Sequence, residues 1–556
     1  MHTLTKFTFL SIAICALGGA IQGQNAFTDV SVPSGLGGVE GYHHAIALAD
    51  YDGDGLLDIY IGTRLGPNRL FRNLGGMQFE EKGALAGVAD PGNTMAAIWF
   101  DADNDGDPDH ATGNSNGPNR FYLNNGNGTF SDVTDDWGLG VMGTTRSLNA
   151  ADVNGDGWVD FYCSNLSSQN VLWLNQEGNG FANATFSSGA TDMGVAMGSL
   201  FLDIDNDGDQ DLYLTHDANQ TNLLYLNNGA GTFTSGGVAA GLNYQGNCMG
   251  VDAADLNGDG FLDLYISNLY PSELFLSNGD GTYSAAGAEA GVDDTGMTWG
   301  TSFFDYDQDG LMDIYVANEF LFSPAPNILY HGEPDGSFSI ASAGDPVLEH
   351  PYSDNGMAMG DLDGDGDLDI VIATHGGTDQ PGPTILRNDA ASGHSVQVQL
   401  EGTTSNRDAI GARATAFYNG AAHIAEIHCG RGYSGGAPLE LHWGIGSLEA
   451  IDSLHIRWPS GIESSHGELI ADSLHHLLEP GGMPWFFSGC THEEACNYVP
   501  AAVDDDGSCY YPLLGEDCDG NLIDEGISSE THSVARIWNE VVLHGVRHDW
   551  ARPTIH

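Results

Sequence analysis

Asp50-Tyr51-Asp52-Gly53-Asp54-Gly55-Leu56-Leu57-Asp58 sets carboxylates at the first, third, fifth and ninth places of a short loop, with glycine at the sixth. The pattern Asp-x-Asp/Asn-x-Asp-Gly-x-x-Asp returns at Asp101, Asp152, Asp203, Asp255, Asp305 and Asp361, at spacings of 51, 51, 51, 52, 50 and 56 residues. A motif this dense, repeated seven times in register, is an internal repeat, and periods of this length belong to solenoids, propellers or arrays.

The sequence around each loop reads as strand. An apolar run precedes it (Ala45-Ile46-Ala47-Leu48) and another follows (Leu57-Asp58-Ile59-Tyr60-Ile61). A third comes about ten residues on, as in Asn119-Arg120-Phe121-Tyr122, and a Gly/Asn turn leads to an aromatic that opens a fourth, as at Phe130. Four short strands joined by tight turns make one propeller blade. The mature chain opens on Phe27-Thr28-Asp29-Val30, which matches the fourth-strand segment Phe130-Ser131-Asp132-Val133, while the seventh repeat stops after its third strand, Ile385-Leu386-Arg387-Asn388. The N-terminal strand therefore completes the last blade and removes an open edge. The expectation is an all-β chain with a seven-bladed propeller over residues 25–390.

The loops are built for a hard cation. The candidate ligands are Asp50, Asp52, Asp54 and Asp58; Asp101, Asp103, Asp105 and Asp109; Asp152, Asn154, Asp156 and Asp160; Asp203, Asp205, Asp207 and Asp211; Asp255, Asn257, Asp259 and Asp263; Asp305, Asp307, Asp309 and Asp313; and Asp361, Asp363, Asp365 and Asp369. Oxygen donors in a flexible loop suit Ca²⁺ better than Mg²⁺, which demands a tight octahedron, and the thiolates or imidazoles that zinc prefers are absent from these positions. An EF-hand is excluded: it needs a bidentate Glu at the twelfth place and flanking helices, whereas the twelfth place here holds Ile61, Thr112, Cys163, Leu214, Ile266, Val316 and Ile372. The ninth-place aspartate takes over that part. About seven structural calcium ions are expected, with the third and fifth sites weakest because Asn154 and Asn257 lower their loop charge.

Loops and blades together resemble FG-GAP/VCBS repeats, which implies a propeller with calcium loops on one face and ligands usually on the other. Six residues before each loop stand His44, Met95, Arg146, Met197, Met249, Trp299 and Asn355, and the next residue is always small. At about 3.3 Å per residue this ring lies roughly 20 Å from the loops, at the far rim. His44, Arg146 and Trp299 are its candidate ligand-binding members, Trp299 to stack on a sugar and Arg146 to pair with an anion. The rival reading is that the ring plugs the channel.

Residues 393–480 have fewer aspartates and four ordered motifs: Asn406-Arg407-Asp408-Ala409-Ile410-Gly411-Ala412-Arg413, Gly430-Arg431-Gly432-Tyr433-Ser434, Leu441-His442-Trp443-Gly444-Ile445-Gly446 and Ile456-Arg457-Trp458-Pro459-Ser460-Gly461. They resemble the ASPIC/UnbV domain. His423, His428 and His442 read as packing or surface residues rather than as a metal site. Residues 489–520 resemble short cysteine-rich modules of secreted proteins; Cys490, Cys496, Cys509 and Cys518 form two disulfides, with three pairings open. Cys163, Cys248 and Cys429 read as buried thiols. In 521–556, a helical stripe from Ser533 (Val534, Ile537, Trp538, Val541) resembles the opening helix of vanadium-haloperoxidase-like domains, without that family's phosphate- or vanadate-binding residues.

With 77 acidic against 15 basic residues and a formal charge of −62, the chain repels nucleic acid and anionic lipid. Its 41% hydrophobic and 10% aromatic content argues against disorder. Lys6, the apolar run Phe7 to Ala20 and the polar Gln22-Gly23-Gln24 read as a signal peptide over residues 1–23, and no later stretch reaches membrane length. The expected function is an extracellular calcium-binding scaffold for carbohydrate or protein, and not an enzyme within these residues. The alternatives are the non-catalytic part of a longer secreted enzyme or a polysaccharide-active propeller.

Overall fold

The computed structural model describes residues 26–481 apart from 40, 141, 320–324, 351, 375–381 and 391–392, together with the short strands Phe487–Gly489 and Ala502–Asp505. The expected signal peptide, the four cysteines of the expected small module and the helix expected from Ser533 lie outside the described residues.

Seven antiparallel blades close into a ring. Blade 1 comprises His43–Ala49, Asp58–Thr63, Arg69–Asn73 and Phe79–Glu81 in consecutive pairing. The inner strands of blades 2 to 7 are Thr94–Phe100, Met142–Ala151, Ala196–Leu202, Cys248–Ala254, Thr298–Phe304 and Asp354–Gly360. Each acidic loop connects an inner strand to the second strand of its blade. Blade 7 is completed by Phe27–Asp29, with Phe27 opposite Asn388 and Asp29 opposite Leu386. Phe27 is fully buried in the core shared by blades 6 and 7. The first strand and the last blade thus hold each other in place.

Two devices explain how the inner strands crowd round the axis. Every inner strand carries a bulge at the ring position, as between His43 and Ala45 and between Thr298 and Thr301. A bulge re-aims a side chain, and here it turns the large residue toward the channel. The small residue after it faces the next blade: a Cβ on Gly198 would meet the Met249 carbonyl at 2.4 Å, on Gly300 the Asn355 carbonyl at 2.5 Å, and on Gly356 the His44 carbonyl at 2.4 Å. The last of these contacts lies across the seam between blades 7 and 1.

The C-terminal domain has two larger sheets and a two-stranded one pairing Ala450–Ile451 with Leu469–Ile470. Of the larger two, one orders Glu440–Gly446, His394–Glu401 and Leu474–Leu478; the other orders Ala421–Glu426, Arg413–Tyr418, Ser453–Arg457 and Glu463–His466. Val396, Val398, Trp443 and Ile456 of this domain belong to the same hydrophobic cluster as Phe100, Phe161 and Leu172 of blades 2 and 3. The two parts are packed as one body.

Candidate metal centre

Backbone geometry holds each loop open for a cation. In blade 1, Asp50 accepts hydrogen bonds from the amides of Asp54 at 3.0 Å and Gly55 at 2.7 Å, which curls the loop around its own first carboxylate. Asp101, Asp152 and Asp361 do the same. The ninth-place aspartate is a strut as well as a candidate ligand. Asp58 takes the Tyr51 amide on one oxygen at 3.1 Å and the Asn73 amide on the other at 2.7 Å. Each later blade repeats this pair of bonds, down to Asp369 with Leu362 and Asn388. This residue therefore offers a cation only its remaining lone pairs.

Carboxylate oxygens converge within 4.8 Å in the sets Asp50/Asp52/Asp58, Asp101/Asp103/Asp109, Asp203/Asp205/Asp211 and Asp305/Asp307/Asp309. One oxygen each of Asp52, Asp203, Asp307 and Asp363 is buried without a hydrogen-bond partner. Burial, the largest cause, and neighbouring carboxylates push Asp58 and Asp211 up to about 8 and Asp103 and Asp263 to about 7. Carboxyls in this state lack positive charge. A hard divalent ion fits both the donor set and the deficit, so these clusters are suited to hold ions.

The seven loops are not equivalent. Arg72 places its guanidinium on Asp52 at 2.6 Å and Asp54 at 3.0 Å, supplying blade 1 with part of its positive charge. Arg457 of the C-terminal domain does the same to Asp203 in blade 4. In blade 6, His331 lies 3.1 Å from Asp313 and forms a set with Asp307 and Asp313. Burial pushes His331 down, but the Asp313 hydrogen bond and the loop charges outweigh it and hold it above the usual range. In blade 3 the Asn154 amide donates to Asp156 at 2.9 Å, easing repulsion within the loop.

A further residue type, not picked out from sequence, ties blade to blade. The side-chain amide of Asn124 donates to the Tyr51 carbonyl at 2.9 Å, Asn175 to Ala102 at 2.8 Å, Asn227 to Val153 at 2.8 Å and Asn388 to Tyr306 at 2.8 Å. Asn73 reaches Leu362 at 2.9 Å and closes the ring. Each asparagine ends a third strand and grips the acidic loop of the preceding blade. Its signal was visible as an Asn recurring 15 or 16 residues after the ninth-place aspartate in the first four blades. The seam therefore rests on the Asn73 bond and on Phe27–Asp29. Asp361→Ala or Asp365→Ala is expected to raise susceptibility to proteolysis more than the same change in blade 3, and equal susceptibility across loop variants would contradict this.

The C-terminal domain covers the loop face. Asp408 accepts the Asp101 amide at 2.6 Å, Gly446 donates to the Gln308 carbonyl at 2.8 Å, and Ser395 and His442 each hydrogen bond the Gly366 carbonyl at 3.0 Å. From this domain, Cys429 to Gly436 runs down the channel. Cys429 bridges Ala150, Gly432 bridges Val251, and Gly435 and Gly436 pair with Ile46 and Ala47. Only glycine fits this path: a Cβ on Gly435 would meet the Met357 carbonyl at 2.1 Å, and one on Gly432 (φ +68°) the Thr301 carbonyl at 2.5 Å. At its tip Tyr433 is buried among Met197, Met249 and Trp299, whose ring centroid lies 5.1 Å away, and His44 at 5.6 Å. The ring residues thus pack round a tyrosine that sequence reasoning placed in another domain. His44 is 1% exposed and unavailable as a surface contact, while Arg146 and Trp299 stay half-buried.

The three candidate histidines do not meet. His428 hydrogen bonds the Phe201 carbonyl at 3.0 Å, His442 the Gly366 carbonyl, and His423 stacks on Tyr418 at 3.9 Å. Cys163, Cys248 and Cys429 are buried free thiols.

The FG-GAP-like repeat family matches residues 50–112, 101–163, 152–214 and 203–266, and the ASPIC and UnbV family matches 402–483. The chain thus carries FG-GAP-like repeats followed by an ASPIC and UnbV domain. Cartilage acidic protein 1 of Xenopus tropicalis is 26% identical over 473 residues, covering 75% of this chain and 70% of that protein. Mouse cartilage acidic protein 1 is 31% identical over 171 residues, covering 29% of this chain and 26% of the mouse protein. A solved Agrocybe aegerita lectin, described for its recognition of non-reducing terminal N-acetylglucosamine, shares 22% identity over 54% of this chain and 79% of its own, with a TM-score of 0.37. Among the described residues, no helix is long and apolar enough to cross a membrane.

Proposed function

We propose that this repeat and ASPIC/UnbV chain is an extracellular binding scaffold. In this reading about seven Ca²⁺ ions fill the acidic loops and stiffen the propeller, and a carbohydrate or protein ligand binds the opposite face. The observation that carries the reading is the cover on the loop face. The C-terminal domain lies over the acidic loops and its glycine-rich segment fills the channel, so the face at the start of the inner strands is the one left for a partner. Arg146 and Trp299, half-buried at that mouth, are the ligand contacts. The orphaned carboxylate oxygens support the metal part. The export-type N-terminus and the likeness to cartilage acidic protein 1 support the extracellular setting. The role is one of binding rather than catalysis: the displaced carboxyls of the loops serve as strand struts and cation ligands.

The test is a glycan and peptide array probed with the protein in Ca²⁺ and in EDTA. The expected result is calcium-dependent capture that falls in Trp299→Ala and Arg146→Ala while calcium content holds. Normal binding by both variants would remove the far face from the account.

A further inference from the structure

Positive charge is scarce in this chain and most of it is neutralised where it stands. Among the described residues, Arg72, Arg120, Arg387, Arg407, Arg413, Arg457 and Lys82 all lie within ion-pair distance of carboxylates. Arg64, Arg69, Arg146 and Arg431 do not; of these, Arg64 and Arg146 are half-buried at the channel mouth opposite the acidic loops. Burial raises the Tyr433 hydroxyl, and the charges of Arg146 and Arg64 oppose that rise, so both guanidiniums bear on the tip of the plug. Two uncompensated arginines facing one buried tyrosine, in a molecule of charge −62, are a local reversal of sign.

The same mouth holds donors without acceptors. Arg146 Nε, Trp299 Nε1 and Asn355 Nδ2 are buried and make no hydrogen bond; Asn355, 2% exposed, is as closed to a ligand as His44, while Arg146 and Trp299 keep part of their side chains exposed. All three are N–H groups, and leaving such a donor unpaired is unfavourable. The loops of this face also display large apolar side chains to solvent: Tyr42, Leu65, Met193 and Tyr270 are all exposed. Arg64 donates its amide to the Tyr42 carbonyl at 2.7 Å, so a cation and an aromatic ring are held side by side.

We propose that this mouth binds an acidic saccharide, with Arg64 and Arg146 taking a uronate carboxylate and Trp299 and Tyr42 taking sugar-ring faces; this rests on the far-face reading given above. Guanidinium matches carboxylate in a bidentate fork. Aromatic rings supply flat apolar area beside polar groups that fix orientation, the usual make-up of a small-ligand site. The overall charge favours a saccharide over an acidic peptide. A run of adjacent carboxylates is repelled by −62, whereas a single uronate flanked by neutral hydroxyls meets the two arginines within a screening length of about 8 Å.

The experiment is isothermal titration of the calcium-loaded full chain with glucuronate-, galacturonate- and mannuronate-bearing tetrasaccharides, each beside its carboxyl-reduced form, and with an Asp-Gly-Asp-Gly peptide. At least one uronate tetramer is expected to bind about tenfold or more tighter than its reduced form, the scale of one charge-assisted hydrogen bond. Arg64→Gln and Arg146→Gln should each remove that preference with melting temperature and calcium content unchanged. Arg69→Gln, on the third strand of blade 1 opposite Ile61, should not. Equal binding of acid and reduced forms through Trp299 would overturn the carboxylate inference and leave the far face intact. Binding of the peptide alone, or of no tetramer at all, would overturn it outright.

Discussion

EDTA is expected to lower the melting temperature of this protein by on the order of 20 °C, with recovery in Ca²⁺ and little recovery in Mg²⁺. An ion that binds only the folded state stabilises it by about 2.7 kcal/mol when present at a hundredfold excess over its dissociation constant. Several loops acting together give on the order of 10 kcal/mol, and 1 kcal/mol moves the midpoint of a domain of 150–250 residues by about 2–4 °C, less for a larger one. The structural ground is specific. Asp58 and Asp211 are pushed to about 8, and Asp52, Asp307 and Asp363 each keep a buried oxygen with no donor. Without a cation these groups must take up protons or repel one another. Mg²⁺ should substitute poorly because it demands near-octahedral geometry and keeps its waters. A thermal melt by circular dichroism checks this, and an unchanged midpoint in EDTA would contradict it.

Glu426→Ala should be the most damaging single substitution at the boundary between propeller and C-terminal domain. The Glu426 side chain is fully buried and accepts four hydrogen bonds: from Arg413 at 2.9 and 2.7 Å, from the Asp203 amide at 3.0 Å and from Gln210 at 3.0 Å. Burial would raise its carboxyl, but Arg413 and His428 hold it below the usual value. Removing it strips buried Arg413 of its carboxylate partner and leaves it only the Asp203 carbonyl, a loss of the kind that costs about 3–5 kcal/mol. Glu426→Gln retains acceptor capacity and should cost less. Denaturant unfolding measures both, and a loss under about 1 kcal/mol for Glu426→Ala would mean that the network does not hold the domains together.

The repeat made the propeller legible. Seven loops in register, alternating apolar runs and a displaced first strand led to the ring and its closure, and the pairing of Phe27 with Asn388 is the result. The small residues after the ring positions were legible too, since crowding at an axis selects for them, as the Gly356 contact with His44 shows. What was not legible is long-range. Nothing in Gly430-Arg431-Gly432-Tyr433-Ser434 says that it threads a channel lined from Ile46 to Met357, far upstream in the chain; the glycines mark close backbone approach without naming the partner. The same holds for Arg457 on Asp203 and Arg72 on Asp52, where charge at a loop comes from residues outside its motif. His331 escaped notice because it stands on a third strand, 18 residues beyond Asp313.

The seven acidic loops are proposed as calcium sites that hold the propeller together. The most direct measurement is the calcium content of the purified full chain after dialysis at micromolar free Ca²⁺, by elemental analysis, repeated for a variant with Asp101, Asp103 and Asp105 all changed to Asn. The account predicts about seven ions per chain, close to the number of loops, and a loss of one ion in the variant. A content of none or one in the parent, with the fold intact, would contradict it.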